Sequence, residues 1–161
     1  MTDSKIKLTW NKGFLSNTYY IKSNDQTVGK YNDKSLSNTS YATFKNKNYK
    51  FKAKGFFSQT TDIIDLSNDN IIGEITHNSW FNKAKICLNG KIYNFKTDNF
   101  WNTKHSIYDY ENSLIKYSNS YTSGEINSNT DNDVLILSGL CAINYYWQVL
   151  FIVFILLIVI L

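Results

Sequence analysis

The amino-acid sequence predicts a mainly β fold of about twelve short antiparallel strands, followed by one very apolar C-terminal helix. Three observations carry this prediction. Segments that alternate apolar and polar side chains recur from residue 5 to residue 127, and clusters of Asn, Asp, Ser and Gly separate them. No charged side chain occurs in residues 134–161. Strands at this spacing are typical of an all-β barrel or sandwich, and 161 residues suit one domain.

The predicted strands follow from side-chain alternation and from turn chemistry. On one strand, Tyr49, Phe51 and Ala53 alternate with three lysines, which indicates a sheet with one buried and one solvated face. Asn89-Gly90 is the sharpest turn signal, because a two-residue hairpin turn needs positive φ at both central positions. The predicted strands cover residues 5–10, 19–21, 28–31, 40–44, 49–54, 62–66, 71–76, 83–88, 91–96, 105–110, 114–117 and 123–127.

A glycine recurs near the start of three predicted strands, at Gly29, Gly73 and Gly124. Glycine inside a strand often marks a bulge or a bend, which barrel closure requires. The recurrence therefore predicts bulges at these positions. The alternative is a chance recurrence in a glycine-poor chain.

Helix-capping residues stand directly before the apolar C-terminal segment. Residues 129–133 read Asn-Thr-Asp-Asn-Asp, and the carboxylates of Asp131 and Asp133 suit the positive end of a helix dipole. We expect a helix that starts near Asp133 and is apolar on all sides. Such a helix is either the core of a protein or a membrane span.

The composition excludes some classes of partner. All 17 basic residues are Lys, and the chain contains no Arg, the residue that most nucleic-acid readers use for bidentate base contacts. We therefore expect no nucleic-acid partner. A stacking platform for bases would also need an Arg-bearing groove, so we assign the larger aromatic side chains to the core. These are Trp10, Tyr19, Tyr20, Phe44, Phe56, Phe57, Trp80, Phe81 and Trp101.

The cysteines and the N-terminal residues favour a cytoplasmic location. Cys87 and Cys141 lie far apart, with no disulfide framework and no metal-ligand spacing. We expect both to be small buried hydrophobic side chains in a reducing compartment. The first residues contain no apolar stretch of the kind that a signal peptide requires.

No pattern of catalytic or cofactor-binding residues is visible. The spacing of Asp62, Asp65 and Asp69 does not match a calcium-binding loop and fits turn chemistry better. His77 and His105 have no Cys or Glu at ligand spacing. The sequence contains no Ser–His–Asp arrangement, phosphate-binding loop or dinucleotide fingerprint. It therefore predicts a protein that is not an enzyme and that holds no metal or cofactor.

The order of elements resembles the tubby C-terminal-like superfamily, which includes the tubby domain, the LURP-one-related proteins and the phospholipid scramblases. The resemblance rests on repeated strand–turn–Ile-Gly-x-Ile units, on residues 123–126 (Ser-Gly-Glu-Ile) and on residues 133–137 (Asp-Val-Leu-Ile-Leu). It covers residues 6–147. It implies a closed barrel whose centre is threaded by the hydrophobic helix, phosphoinositide binding through basic strand residues as in the tubby domain, and lipid handling as in the scramblases.

The C-terminal segment extends beyond this resemblance. Residues 1–148 would form the barrel domain with its central helix, and residues 149–161 would be an apolar extension. A window such as residues 140–161 has the roughly 20 apolar residues that span a bilayer. Tyr145, Tyr146 and Trp147 would then form an interfacial belt.

The same segment also contains features that suit a protein interior. Ser138, Gly139 and Asn144 are small or polar and fit inside a barrel better than in lipid. We favour a combination in which the helix lies inside the barrel to about Trp147 and continues outside it. The alternatives are a helix packed wholly against the barrel and a plain tail anchor.

The densest basic cluster lies on one predicted hairpin and consists of Lys45, Lys47, Lys50, Lys52 and Lys54. A stripe of lysines attracts anionic head groups, at about 1 kcal/mol for each Lys near a charged surface. The alternative is a solvated strand face in a Lys-rich chain. The sequence thus predicts a membrane-associated binding module with an anionic phospholipid membrane as its partner. A soluble structural or protein-interaction domain with a buried helix, and scramblase-like lipid handling, are the alternatives.

Overall fold

Twelve antiparallel strands close into a barrel around one helix in the computed structural model, which describes residues 5–34, 37–55, 59–78 and 82–160. The predicted fold class is therefore confirmed. The elements are β1 (Ile6–Asn11), β2 (Thr18–Ser23), β3 (Gln26–Lys34), β4 (Thr39–Phe44), β5 (Lys47–Ala53), β6 (Thr60–Asp65), β7 (Asn70–His77), β8 (Lys83–Leu88), β9 (Lys91–Thr97), β10 (Lys104–Asp109), β11 (Asn112–Asn119), β12 (Ser123–Ser128) and α1 (Asp133–Ile160).

Each strand pairs with the next along the chain, and β1 pairs with β12 to close the ring. Closure leaves none of the twelve described strands with an unpaired edge. Because the strands alternate in direction, every second connection lies at the same end of the barrel. We call the end with the β2–β3, β4–β5, β6–β7, β8–β9 and β10–β11 turns the hairpin end, and the opposite end the loop end.

Short turns at the hairpin end use left-handed backbone conformations. The Asn89-Gly90 turn is confirmed, with φ of 49° and 81°. The predicted turn at residues 46–48 is displaced, because Phe44 pairs with Lys47 and the turn falls on Lys45 and Asn46. Local sequence favours Asn over Lys at positive φ, so strand register rather than turn propensity decided this position.

Three bulges interrupt the regular pairing of the described strands, and they occur on β3, β7 and β11, four strands apart. The register shifts leave Val28, Ile72 and Leu114 as the extra residues. The glycine prediction is confirmed at Gly29 and Gly73, which lie beside the first two bulges. The third bulge is formed without a glycine.

Gly124 has a different role from the one predicted. It pairs regularly with Trp10 across the β1–β12 seam, with no register shift. A Cβ atom at Gly124 would overlap the Trp10 ring, with Cε2 only 2.6 Å away, so glycine is needed there for the indole to lie against the backbone. The indole N–H donates to Asn119 Oδ1 at 3.3 Å, which ties β1 to β11 as well.

The first half of α1 fills the barrel. All side chains of residues 135–144 are buried. Asn132 caps the helix, because its Oδ1 accepts from the Leu135 N–H at 3.0 Å. The buried Asp133 carboxylate forms ion pairs with Lys45 at 3.1 Å and with Lys47 at 3.7 Å, so the β4–β5 turn holds the start of the helix.

The small and polar helix residues face specific partners inside the barrel. The Tyr117 ring packs against Gly139, and its hydroxyl donates to the Ile136 carbonyl at 2.9 Å. The Tyr19 hydroxyl donates to Asn144 Oδ1 at 3.1 Å. These contacts explain why a helix of such high apolarity still contains Gly and Asn in its first half.

The assignment of aromatic residues to the core is partly wrong. Trp10, Tyr19 and Phe44 are buried as predicted. Tyr20 is 45% exposed because its two neighbours in β2 point inward, and Trp101 is 77% exposed in the β9–β10 connection. The remaining four lie outside the described residues: Phe56, Phe57, Trp80 and Phe81.

Replacement of Gly139 by Ala tests the fit of the helix inside the barrel. A Cβ atom there overlaps the Tyr117 ring and hydroxyl. We expect the free energy of unfolding to fall by about 1–3 kcal/mol, although Ala favours a helix over Gly by about 1 kcal/mol. Guanidinium unfolding in a non-ionic detergent measures the change. Gly13→Ala, on an exposed connection, is the control with a small expected effect, because a Cβ atom there meets only the half-buried Ser16 side chain, at 3.3 Å. Equal stability of Gly139→Ala and the parent chain would contradict the packing.

Candidate functional site

The second half of α1 lies outside the barrel. From residue 147 to residue 160 the helix carries no charge and is about 21 Å long at 1.5 Å per residue. The most exposed side chains of this segment include Phe151, Phe154, Ile158, Val159 and Ile160. By length and composition α1 could cross a membrane, and only 17% of its most apolar window is buried. Leu161 lies outside the described residues.

The point where α1 leaves the barrel is held by polar contacts at the loop end. Gln148 Nε2 donates to Asp33 Oδ2, and Ser40 Oγ donates to the other oxygen of the same carboxylate at 2.8 Å. The Tyr146 hydroxyl accepts from Asn102 Nδ2 at 2.6 Å. These contacts fix the direction in which the exposed segment leaves.

The three predicted interface residues lie at this boundary. Tyr146 is buried in the mouth of the barrel, and Tyr145 stacks on His77 with ring centroids 3.8 Å apart. Trp147 is the first exposed side chain of the segment. Their role at a membrane interface stays a prediction.

The structure spreads the five predicted lipid-binding lysines along the whole length of the barrel. Lys45 and Lys47 lie at the hairpin end, in the ion pairs with the helix start described above. Lys50 and Lys52 lie on the outer face of β5, opposite Tyr41 and Thr39 of β4.

The fifth lysine, Lys54, lies just beyond β5 at the loop end. Its ammonium group is 2.6 Å from a Glu74 oxygen and 3.0 Å from an Asp62 oxygen. Hydrogen bonds to Glu74 and then to Asp62 raise the pKa of Lys54 above its ordinary value. The five lysines therefore do not form one continuous patch, and only Lys52 and Lys54 lie near the loop end.

The predicted turn carboxylates take part in local structure. Asp65 accepts from the Ser67 N–H at 2.8 Å, and this bond to the backbone lowers the pKa of the Asp65 carboxyl group. Asp69 has a φ of 55° in the β6–β7 turn. In the part of the chain that the structure describes, no three His, Cys, Asp or Glu side chains come together as metal ligands.

Both histidines are buried near the loop end. The ring of His77 stacks on Tyr145, and its Nε2 has no hydrogen-bond partner among the described residues. Burial lowers the pKa of His77 to about 4. Burial also lowers the pKa of His105 to about 4, although its bond to the Asn102 carbonyl at 3.0 Å partly opposes this shift.

A cleft beside the helix is too small for an ordinary ligand. It lies between α1 and β3–β6 at the loop end and has a volume of about 60 Å³. Pockets for metabolites or cofactors usually have about 300–1,000 Å³. This cleft can therefore hold water but not a lipid head group.

Sequence reasoning missed a group of exposed apolar residues at the loop end, beside the point where α1 leaves the barrel. We call this group the collar. Its side chains are 56–90% exposed. The signal was present in the sequence, because every second connection of a meander lies at one end, and the apolar residues occur in those connections. The collar consists of Phe14, Leu15, Phe100, Trp101 and Tyr121.

Comparison of the chain with protein-family models, with curated proteins and with solved structures finds no match. The resemblance to the tubby C-terminal-like superfamily therefore stays a prediction that rests on the order of elements.

The buried histidines predict that stability falls in mild acid. In the unfolded chain His77 titrates near 6.5, whereas in the barrel its pKa is about 4. Between these values the unfolded chain binds a proton that the folded chain does not, so stability present above pH 6.5 is lost as the pH falls toward 4. The loss per histidine is roughly 3 kcal/mol at its limit.

Guanidinium unfolding tests the loss of stability in mild acid. The midpoints of the parent chain and of His77→Phe are measured in non-ionic detergent at pH 7.5, 6 and 5. We expect a clearly weaker pH dependence for His77→Phe, which keeps an aromatic ring against Tyr145. The pH dependence of the double variant His77→Phe/His105→Phe should be weaker still. An unchanged pH dependence in both variants would show that the histidines do not titrate as described.

Proposed function

We propose that this chain is a non-enzymatic, membrane-associated binding module that the exposed half of α1 holds at a lipid bilayer. The single observation that carries the proposal is a charge-free helical segment, residues 147–160, that leaves the barrel with its side chains exposed. A soluble protein rarely exposes a continuous apolar surface of this size without a partner that covers it.

The energy of transfer supports lipid as that partner. Residues 149–160 are all Val, Leu, Ile or Phe. Each such residue favours the bilayer interior by about 0.3–0.6 kcal/mol, so the segment gains roughly 4–7 kcal/mol. The backbone hydrogen bonds of a helix are satisfied internally, which lets the segment enter lipid without loss of those bonds.

The barrel would be presented to the membrane in a defined direction. Because Gln148 and Tyr146 are bonded to the barrel, the exposed segment continues a helix whose first half is fixed inside it. A plain tail anchor on a flexible linker would leave the attached domain free to rotate. The proposed module instead keeps the loop end against the bilayer, and of the predicted basic strand Lys52 and Lys54 are then closest to the lipid.

Two other functions are less well supported. A soluble interaction domain with a fully buried helix does not fit the exposure of residues 150–160, unless a protein partner covers them. Scramblase-like lipid handling rests on the resemblance in element order alone.

Cell fractionation of three chains tests the proposal. These are the full chain, a chain that ends at Gln148, and the full-length variant Val153→Lys/Leu156→Lys. We expect the full chain to stay in the membrane pellet after carbonate and to need detergent. The shortened chain should be soluble and folded. The lysine variant should be weakly bound, because each Lys costs about 2.5–3.5 kcal/mol inside a bilayer.

A full chain that is soluble without detergent would overturn the proposal. If that soluble chain is recovered with a protein in fixed ratio, the interaction-domain alternative is favoured. The lysine variant serves as the matched control, since it keeps the length of the segment and changes only its polarity.

A further inference from the structure

The collar lies beside the point where α1 leaves the barrel, on the three neighbouring connections β1–β2, β11–β12 and β9–β10. Phe14 and Tyr121 belong to different connections, yet their ring centroids are 5.3 Å apart. The backbone joins the same two connections, because the Lys12 N–H donates to the Thr122 carbonyl at 2.8 Å. Asn102 follows Trp101 directly and bonds to Tyr146 of the helix. The collar and the exposed segment thus share one end of the molecule.

The connections at the loop end are held in place by the barrel rim. The last residue of each connection accepts a hydrogen bond from the backbone of a neighbouring strand, at distances of 2.7–3.0 Å. These bonds fix the end of each connection to the barrel, including the β1–β2 and β9–β10 connections that carry four of the collar side chains. The pairs of backbone N–H donor and carbonyl acceptor are Asp33 and Asn17, Ala53 and Asn38, His77 and Gln59, Thr97 and Asn82, and Asn119 and Thr103.

The two ends of the barrel carry opposite charge. Among the described connections of the loop end and the one strand residue on either side of each, Asp98 is the only carboxylate, and it accepts from Ser106 and Tyr108. Deeper in the strands, the buried Asp33 accepts from Ser40 and Gln148, and Asp62 and Glu74 pair with Lys54. The lysines at the loop end are Lys12, Lys34, Lys54, Lys83 and Lys104. The carboxylates at the hairpin end are Asp25, Asp65, Asp69, Asp109, Glu111, Asp131 and Asp133, against Lys5, Lys45, Lys47 and Lys91.

Apolar exposure alone does not distinguish the two ends. Ile71, Ile92 and Tyr110 are exposed toward the hairpin end. There they lie among carboxylates, which anionic lipid repels. At the loop end the exposed apolar side chains lie among lysines, next to the apolar helix.

We infer that the loop end is itself a docking surface for an anionic phospholipid bilayer, with the collar in the interface and the lysines at the head groups. The inference rests on the proposed function and adds the lipid class and the orientation of the barrel. The order of chemistry along the axis matches the order in a bilayer. Lysines stand at the strand ends, aromatic side chains occupy the connections, and the charge-free helix extends beyond them.

The surface adds a second attachment to the one that the helix provides. Aromatic rings favour the head-group level of a membrane, and each Lys near an anionic surface contributes about 1 kcal/mol. Two attachments at one end hold the barrel axis close to the membrane normal, whereas the helix alone would allow it to tilt. The acidic hairpin end then faces away from the bilayer.

Fluorescent reporters at three positions of the full chain test this inference. A cysteine replaces Leu15 in the collar, Val153 in the exposed segment or Ser67 in a hairpin-end turn, in a Cys87→Ser background. Cys141 is kept, because it is buried inside the barrel and closed to the dye. Each carries a polarity-sensitive dye, in nanodiscs of phosphatidylcholine with or without about one-third phosphatidylserine. A shallow nitroxide lipid quenches any dye at the head-group level.

We expect strong quenching at Leu15 in the anionic discs, several-fold weaker quenching there in neutral discs, and none at Ser67. Val153 should report a hydrocarbon environment in both. The variant Lys34→Glu/Lys83→Glu/Lys104→Glu should lower the fraction of docked collar at least about tenfold in anionic discs. The matched control Lys7→Glu/Lys30→Glu/Lys116→Glu changes the same charge on the barrel wall and should have little effect.

The outcomes separate the two proposals. If Val153 lies in hydrocarbon while Leu15 stays in water, the helix anchors the chain but the docking surface is wrong. If both positions stay in water, the membrane function itself is wrong. Equal losses in the two lysine variants would mean that overall charge, not the loop end, attracts the bilayer, and would overturn the inference.

Discussion

The structure depends on one constraint, which is that the axis of a twelve-stranded barrel must be filled. A closed sheet of this many strands is too wide for its own side chains to meet across the centre, so it needs an internal element. The first half of α1 supplies that element, with buried side chains over residues 135–144. The capped start at Asn132, the ion pairs of Asp133 and the fit of Tyr117 against Gly139 all serve to hold it there.

One helix therefore meets two apolar environments. Inside the barrel its side chains contact the inward-facing residues of the strands, and outside they are exposed. The change occurs over Tyr146, Trp147 and Gln148, where polar groups of the barrel rim bond to the helix. Because both environments select for Val, Leu, Ile and Phe, composition alone cannot mark the boundary. Small and polar residues such as Ser138 and Asn144 are confined to the enclosed half.

The elements of the fold could be predicted because their signals are local. Alternation identified the strands, Asn89-Gly90 identified a turn, and the capping run identified a helix start at Asp133. What could not be predicted depends on neighbours far apart in sequence. The ion pairs of Asp133, the stack of His77 on Tyr145 and the bond between Asp33 and Gln148 all arise from barrel closure.

The candidate site was harder to predict than the fold, for a physical reason. An aromatic residue in a connection has the same apolar character as one in the core, so Trp101 was assigned to the interior, although it is exposed. Likewise, the five lysines between residues 45 and 54 are close in sequence, but the extended strand β5 separates Lys45 at the hairpin end from Lys54 at the loop end. The strand order, which places every second connection at the same end, is what shows which aromatic residues are exposed and at which end each lysine lies.

The seam between β1 and β12 has a consequence for how the chain folds. It joins Ile6 to Ser128 and Trp10 to Gly124, so the barrel cannot close until nearly all of its strands have been made. Pairings this distant in sequence form slowly, because the loss of chain entropy comes before the gain from contacts. The helix follows β12 and can be enclosed only as the seam forms. Until then both halves of α1 are exposed apolar surface, so the newly made chain depends on protection from aggregation until closure.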